Sequence, residues 1–382
     1  MRIGINASFL RKPGTGIGQV TTYLLEHLSA HAGGSDTFVV YTEEPTSLSL
    51  SKNFEEKSFL PFWKRDDLLR KWLWEQKLAH EAQEDDCDVL LSLYQSTTVS
   101  TLPHVMIIHD LIPRLFPEYQ GNVRQKWYWK QVEKALLQVD KIVAVSEATR
   151  NDLVEYGIAS DCITIASPSI APVFEKTLPL EEENRVMAAY SLVPGYLYHG
   201  GGLEVRKNTE GVLRAYANLV EKEKKEKLGV VLPPLVISGK IFSEENKLAV
   251  PVKKLVQELG LGERVKLLDF VPEEDLPALY KNALFFIYPS KYEGFGLPVL
   301  EALTMNTPVL TSDVSSLPEV AGDAALYIDP TSIPSLTSGM ERLLKDASLR
   351  MTLSEKSGSV RKRFSWDTMA QAVMSSLHQS VS

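Results

Sequence analysis

Two doubly wound α/β domains are predicted by three features of this 382-residue sequence. Short apolar runs alternate with longer amphipathic stretches along the chain, the pattern of parallel sheets covered by helices. The alternation lapses between Pro172 and Val193, which holds proline, a Glu-Glu-Glu run and no strand pattern, and then starts afresh. The length suits two or three domains. The expected boundaries are 1–175 for the first domain, 176–193 for a linker, 194–362 for the second domain and 363–382 for a last helix returning to the first.

Composition narrows the function classes. The chain is 44% hydrophobic and 24% charged, with a formal net charge of −8. Nothing in it carries the basic footprint of a nucleic-acid partner. Cys87 and Cys162 lack the paired spacings of metal or redox motifs and read as reduced thiols of a cytoplasmic protein. Met1 leads directly into a strand, so no signal peptide is expected, and no apolar run approaches a membrane span.

In chain order, the first strand, Arg2 to Ala7, runs into a glycine loop containing Gly14, Gly16 and Gly18, with a helix expected from Gln19 to His31. Such a loop lets a ligand approach the backbone closely. It resembles a dinucleotide-binding fingerprint, but Gln19 replaces the last glycine and no acidic residue sits cleanly after the next strand, Phe38–Tyr41. Strands follow at Val89–Leu91, Val105–Ile108, Lys141–Val145 and Cys162–Ile165. His109 and Asp110 stand at the carboxyl end of one of them, where open α/β sheets place ligands; a hydrogen-bonded structural histidine is the alternative. Trp63, Trp72, Trp74, Trp127 and Trp129 are interleaved with Lys and Arg. That suits a membrane-surface helix, an aromatic acceptor cleft or ordinary amphipathic helices with some tryptophans in the core. Trp127 and Trp129 are two apart, so one helix face cannot bury both.

The second half opens with strand Tyr196–Tyr198, the glycines 200–202, then Arg206-Lys207-Asn208 and a helix to about Val220. Strands Leu235–Ile237, Val265–Leu268, Ala283–Ile287, Pro308–Leu310 and Ala325–Ile328 follow. The turn after Val265–Leu268 holds Val271 and Glu273. The strand Ala283–Ile287 ends in a loop through Glu293, Gly294, Phe295 and Gly296, and a helix starts near Leu297, with Pro298 suited to its first turn. Loop amides at a helix N-terminus make an anion site. Glu293 and Glu301 bracket it; unable to bind phosphate themselves, they suit hydroxyls. Arg206 and Lys207 suit diphosphate oxygens. A phosphate flanked by hydroxylated groups describes a nucleotide sugar.

With Glu293 and Glu301 separated by seven residues, the sequence resembles the retaining nucleotide-sugar glycosyltransferases of family 4 and the GT-B fold. The resemblance extends over Gly14 to Gly18, His109-Asp110, Arg206-Lys207-Asn208, Val271-Pro272-Glu273 and the closing Ser365-Trp366 helix. It implies two Rossmann-like domains facing across a cleft. It implies that Glu293 and the Phe295, Gly296 and Leu297 amides bind the donor sugar, Glu301 the ribose, and Arg206 and Lys207 the leaving diphosphate. Backbone at Val271 would meet the base, with Glu273 a pointer to guanine. The Gly16 loop would close on the diphosphate, and His109 would contact the sugar near the reacting carbon. The departing phosphate takes the acceptor proton in this family, and neither a metal nor another cofactor is expected. GDP-mannose or a UDP-hexose is the expected donor. A glycan or lipid-linked acceptor is expected, with peripheral contact at the inner membrane face. An NAD(P)-dependent oxidoreductase or a non-catalytic sugar-nucleotide sensor are the rival readings.

Overall fold

The computed structural model describes residues 1–12, 14–31, 35–46, 48–59, 68–242 and 246–381. Trp63 and Pro13 lie outside the described residues. Two compact units are present: Met1–Ser169 together with Phe364–Ser382, and Ile170–Arg363.

The first unit contains β1 (Arg2–Asn6), α1 (Gly16–His31), β2 (Thr37–Thr42), β3 (Phe54–Ser58), α2 (Leu68–Glu84), β4 (Val89–Ser92), β5 (His104–Ile108), α3 (Ile112–Leu115), α4 (Val123–Leu136), β6 (Lys141–Ala144), α5 (Glu147–Tyr156) and β7 (Ile163–Ile165). Its strands form one sheet in the order β3-β2-β1-β4-β5-β6-β7, with every adjacent pair parallel. The order reverses beside β1, so the β1–α1 loop sits at the switch point where such sheets bind ligands. β4 and β5 are buried at every position and carry the apolar runs Val89–Leu91 and Val105–Ile108, as central parallel strands do. β3, Phe-Glu-Glu-Lys-Ser, is an edge strand absent from the sequence reading because its charged faces hide the strand period.

α1 begins at Gly16, three residues before the expected start at Gln19. The cause is Thr15, whose Oγ1 accepts from the Gly18 amide at 3.1 Å and caps the helix. α4 is held by a capping box between Asn122 and Gln125. It buries Trp129 and leaves Trp127 39% exposed, and Trp127 meets Trp72 of α2 edge-on at 5.3 Å. Trp74 is a core residue, with its Nε1–H donating to the Phe59 carbonyl at 3.0 Å.

The second unit contains α6 (Leu180–Ala189), β8 (Tyr196–His199), α7 (Thr209–Lys224), β9 (Leu235–Ser238), α8 (Val252–Glu258), β10 (Val265–Leu268), α9 (Leu276–Asn282), β11 (Ala283–Tyr288), α10 (Leu297–Thr304), β12 (Val309–Ser312), α11 (Leu317–Ala321), β13 (Ala325–Ile328), α12 (Ile333–Lys345) and α13 (Ala347–Arg361). Its parallel sheet runs β10-β9-β8-β11-β12-β13, with the switch between β8 and β11. The segment 176–193, expected to be linker, belongs to this unit and carries α6. Glu181, Glu182 and Glu183 fall in its first turn, where acidic residues favour a helix N-terminus. Arg185 and Tyr190 from this segment bind Asp275, at 2.6 and 2.8 Å, which ties it to the fold. α14 (Trp366–Val381) belongs to the first unit and packs on α1, with Trp366 against Tyr23 and His27.

Candidate active site

In the second unit, the carboxyl ends of the two switch-point strands present the site. β8 ends in glycines 200–202 and a 3-10 turn, Val205–Lys207. Gly201 has φ +87°, and a Cβ there would lie 2.9 Å from both Pro298 and Tyr288. The glycine therefore lets this loop lie directly against the first turn of α10. Asn208, in the left-handed region at φ 62°, turns the chain into α7 and donates to the Pro330 carbonyl at 2.8 Å.

β11 ends at Tyr288, and the loop to α10 carries Glu293. Gly296 caps α10 with φ 116°, and Pro298 lies in the first turn. The Gly296 and Leu297 amides make no hydrogen bond to another described residue, so they are open donors at the positive end of the helix. Ser316 Oγ donates to the carbonyls of Glu293 and Phe295, and Ser315 Oγ accepts from the Glu293 amide at 3.0 Å. These two serines fix the loop from outside the stretch that the sequence marks.

The structure brings Arg206, Lys207 and Glu293 into one buried cluster. Arg206 reaches Glu293 Oε2 at 2.7 Å and Lys207 reaches Oε1 at 2.7 Å. Ser290 and Tyr288 donate to Oε1 at 2.6 and 2.9 Å, and Lys207 also donates to Tyr288 Oη. Burial opposes the charge on Glu293, but Arg206 and Lys207 outweigh it and hold the carboxyl at about 2. Burial, with Arg206 adding repulsion, lowers the Lys207 pKa. Burial also opposes the Arg206 charge, yet Glu293 draws that group upward. Glu204 also pairs with Arg206, at 3.2 Å, so two cations face two carboxylates beside the open amides.

Glu301, one turn into α10, has a different environment. It is 7% exposed, and Tyr280 donates to it at 2.8 Å. Burial pushes its pKa up to about 7; the Tyr280 bond works against the shift and Glu273 adds to it. The two glutamates that look equivalent in the sequence are thus a held carboxylate and a carboxyl on the edge of ionisation. Val271 is buried, and Glu273 opens a 3-10 turn ahead of α9.

The first unit holds the other expected residues. His109 follows β5, is buried, and places Nε2 2.9 Å from the Leu93 carbonyl; burial lowers its pKa to about 4, against the effect of that hydrogen bond. Asp110 Oδ1 accepts from the Ile112 amide at 3.0 Å. A Cβ at Gly14 or Gly16 would meet nothing within 4 Å, so packing does not demand glycine at either position. The acidic residue judged missing after β2 is in fact Glu43, directly beyond Thr42. It is buried and bound by Arg11 at 3.1 Å and Arg70 at 2.9 Å, which occupy both of its oxygens.

Comparison with known proteins identifies the family and the fold. The glycosyl transferases group 1 model matches residues 194–359, and the Glycosyltransferase Family 4 model matches residues 14–172. The chain is 33% identical over 273 residues to O-antigen chain mannosyltransferase B of Escherichia coli, covering 70% of this chain and 69% of that protein. It is 30% identical over 271 residues to the serotype-specific mannosyltransferase WbdA of Escherichia coli, covering 70% of this chain but only 32% of WbdA. The chain thus spans about a third of that relative. The structure of Anabaena HepE in complex with UDP-glucose superimposes with a TM-score of 0.73 at 16% identity, covering 99% of this chain and 100% of that one. The two doubly wound sheets are those of a GT-B glycosyltransferase. The chain belongs to glycosyltransferase family 4.

Proposed function

We propose that the chain is a retaining hexosyltransferase. It moves a hexose from a GDP- or UDP-sugar to a glycan or lipid-linked acceptor in cell-surface polysaccharide synthesis. The observation that carries this reading is the buried Arg206–Lys207–Glu293 cluster beside the open Gly296 and Leu297 amides. The amides and the two cations would receive the diphosphate, and Glu293 the sugar hydroxyls. The bond from the anomeric carbon to the diphosphate oxygen breaks, and a bond to the acceptor oxygen forms on the same face. The acceptor proton goes to the departing diphosphate, so no protein base is needed. Arg206 and Lys207 supply the charge that a metal supplies elsewhere. The names of the mannosyltransferase relatives favour GDP-mannose, whereas the UDP-glucose complex of HepE keeps UDP-hexoses in view.

Thermal-shift screening against UDP, GDP, ADP, dTDP and NAD tests the reading. One nucleoside diphosphate should stabilise the protein by about 2.7 kcal/mol at a hundred times its Kd. Response to NAD alone would overturn the proposal in favour of an oxidoreductase.

Glu301 gives this proposal a pH signature. As the acceptor for the ribose hydroxyls, it must be ionised, and its pKa is raised to about 7. Affinity for the nucleoside diphosphate should therefore rise as pH increases from 6 to 8, by about tenfold if only the ionised form binds. Calorimetry on the wild type and Glu301→Gln separates this rise from titration of the phosphate itself. Identical pH profiles would remove Glu301 from the ribose role. The same raised value makes folding stability fall as pH rises from the ordinary carboxyl range to about 7, because the folded state keeps a proton that the unfolded chain loses.

Peripheral membrane contact is part of the same proposal. Among the described residues no helix is long and apolar enough to cross a membrane. Val123 and Trp127 of α4 and Leu69 and Leu73 of α2 are exposed. Co-sedimentation with anionic liposomes at low salt is the expected outcome, and its absence would count against the contact.

A further inference from the structure

A cavity of about 240 Å³ opens in the first unit. Phe9, Tyr94, Tyr128 and Trp129 are among its lining residues. Lys71 projects into it from α2. Its ammonium lies 5.0 Å from the Phe9 ring centre, 4.4 Å from Tyr94 and 5.0 Å from Tyr128. Three ring faces hold it by cation–π attraction. The ammonium nevertheless makes no hydrogen bond to a described residue; its ion-pair partner, Glu75, is 3.8 Å away.

The rings are held rigidly. Glu75, with no exposed surface, accepts from Tyr94 Oη at 2.7 Å, from Tyr128 Oη at 3.0 Å and from the Thr97 amide at 3.1 Å. The phenol edges are therefore committed, and one face of each ring meets the Lys71 ammonium. Gln95, on the cavity lining, supplies the opposite polarity. Its Nε2 donates to the Asp110 carbonyl at 3.1 Å, which fixes which way the amide points. Its Oε1 is buried with no hydrogen-bond partner among the described residues. Burying such an oxygen unpaired is unfavourable, so a donor brought by a ligand is worth more here than at the surface.

These groups select one ligand chemistry. The Lys71 charge faces Glu75 at 3.8 Å, and Arg11, Lys12 and Glu43 also act on it, so charge alone does not choose the ligand. A phosphate would satisfy Lys71 but would set an acceptor against Gln95 Oε1. Neighbouring hydroxyls on one ring satisfy both, one accepting from Lys71 and another donating to Gln95. The remaining apolar lining, with Leu68, Pro113, Tyr119 and Trp129, suits the apolar face of such a ring. The volume lies just below the ~300–1,000 Å³ of sites for drug-sized molecules, which points to a single ring. We propose that this cavity is a subsite for one pyranose ring of the acceptor, held by Lys71 and Gln95 and positioned by Glu75 through Tyr94 and Tyr128. The proposal rests on the glycosyltransferase reading above. The subsite is also tied to the end of β5, since Gln95 bonds Asp110 and Leu93 bonds His109.

The test uses the full chain, with Gln95→Leu and Lys71→Met as variants. Each removes a polar function and keeps the bulk of the side chain; melting temperatures check folding. Saturation-transfer NMR with methyl α-mannopyranoside and methyl α-glucopyranoside should show transfer to ring protons in the wild type. The signal should fall at least about fivefold in both variants, with nucleoside diphosphate affinity unchanged, since a factor of this size follows from one lost hydrogen bond. No transfer from the wild type, or transfer undiminished in the variants, overturns the subsite. Displacement of the pyranoside by inorganic phosphate also overturns it, because the cavity would then be an anion site. If nucleoside diphosphate still binds in those cases, only the subsite falls. If no nucleoside diphosphate stabilises the wild type, the glycosyltransferase chemistry on which the subsite rests falls first.

Discussion

Replacing Lys207 by alanine is expected to lower kcat by about 100-fold or more, the loss typical of removing one preorganised charge donor from a reacting oxygen. The ammonium is fixed before any ligand arrives. It is 7% exposed and bound by Glu293 and Tyr288 Oη, with its Nζ 5.0 Å from the Tyr288 ring centre. Such a group does not have to be ordered when negative charge develops on the departing diphosphate. The variant should remain folded, because Arg206, Ser290 and Tyr288 still satisfy Glu293. Melting temperature and nucleoside diphosphate affinity then separate the catalytic loss from a structural one. Arginine should not rescue the activity, since a planar fork does not fit the place of a buried point charge. A kcat equal to that of the wild type would remove Lys207 from the leaving-group role.

The architecture was legible because parallel sheets write themselves as buried apolar runs. β5 and β11 are of that kind, and so is the alternation of strands and helices. What escaped was set by contacts or by local chemistry that weakens the pattern. β3 is charged on an edge, and α6 is tied down by Asp275, ninety residues from Arg185. At the site, Arg206, Lys207, Glu293 and Glu301 stand out in the sequence through their types and spacing. Their partners do not. Tyr280, Tyr288, Ser315 and Ser316 are ordinary residues whose roles follow only from where α9, β11 and α11 bring them. The opposite pKa shifts of Glu293 and Glu301 could not be read from spacing, because burial and neighbouring charge decide them. Lys71, Gln95 and Glu75 carry no motif at all; the cavity they serve exists only once α2, α4 and the segment after β4 have packed.

Glu293→Gln should destabilise the free protein by about 3 kcal/mol, the lower end of the cost of breaking a buried ion pair, because Lys207 is left facing a neutral amide while Arg206 keeps Glu204 at 3.2 Å. Shape is nearly conserved, so the loss reports charge. In the wild type the Glu293 carboxyl is held at about 2, below its ordinary range. Its contribution is thus fully present above pH 4.5, the ordinary value, and is lost as pH falls toward 2. The variant lacks this contribution, so its stability should depend less steeply on pH in that acid window. A nucleoside diphosphate that binds the same cations would replace the missing anion. Saturating ligand should therefore raise the stability of Glu293→Gln by more than that of the wild type, and urea unfolding with and without the nucleotide measures both increments. Equal increments would mean that the diphosphate does not meet Arg206 and Lys207. A larger increment in the variant would place the leaving group on the charges that Glu293 neutralises in the free protein, and would make Glu293 a counter-ion that the donor displaces as well as a ligand for its sugar.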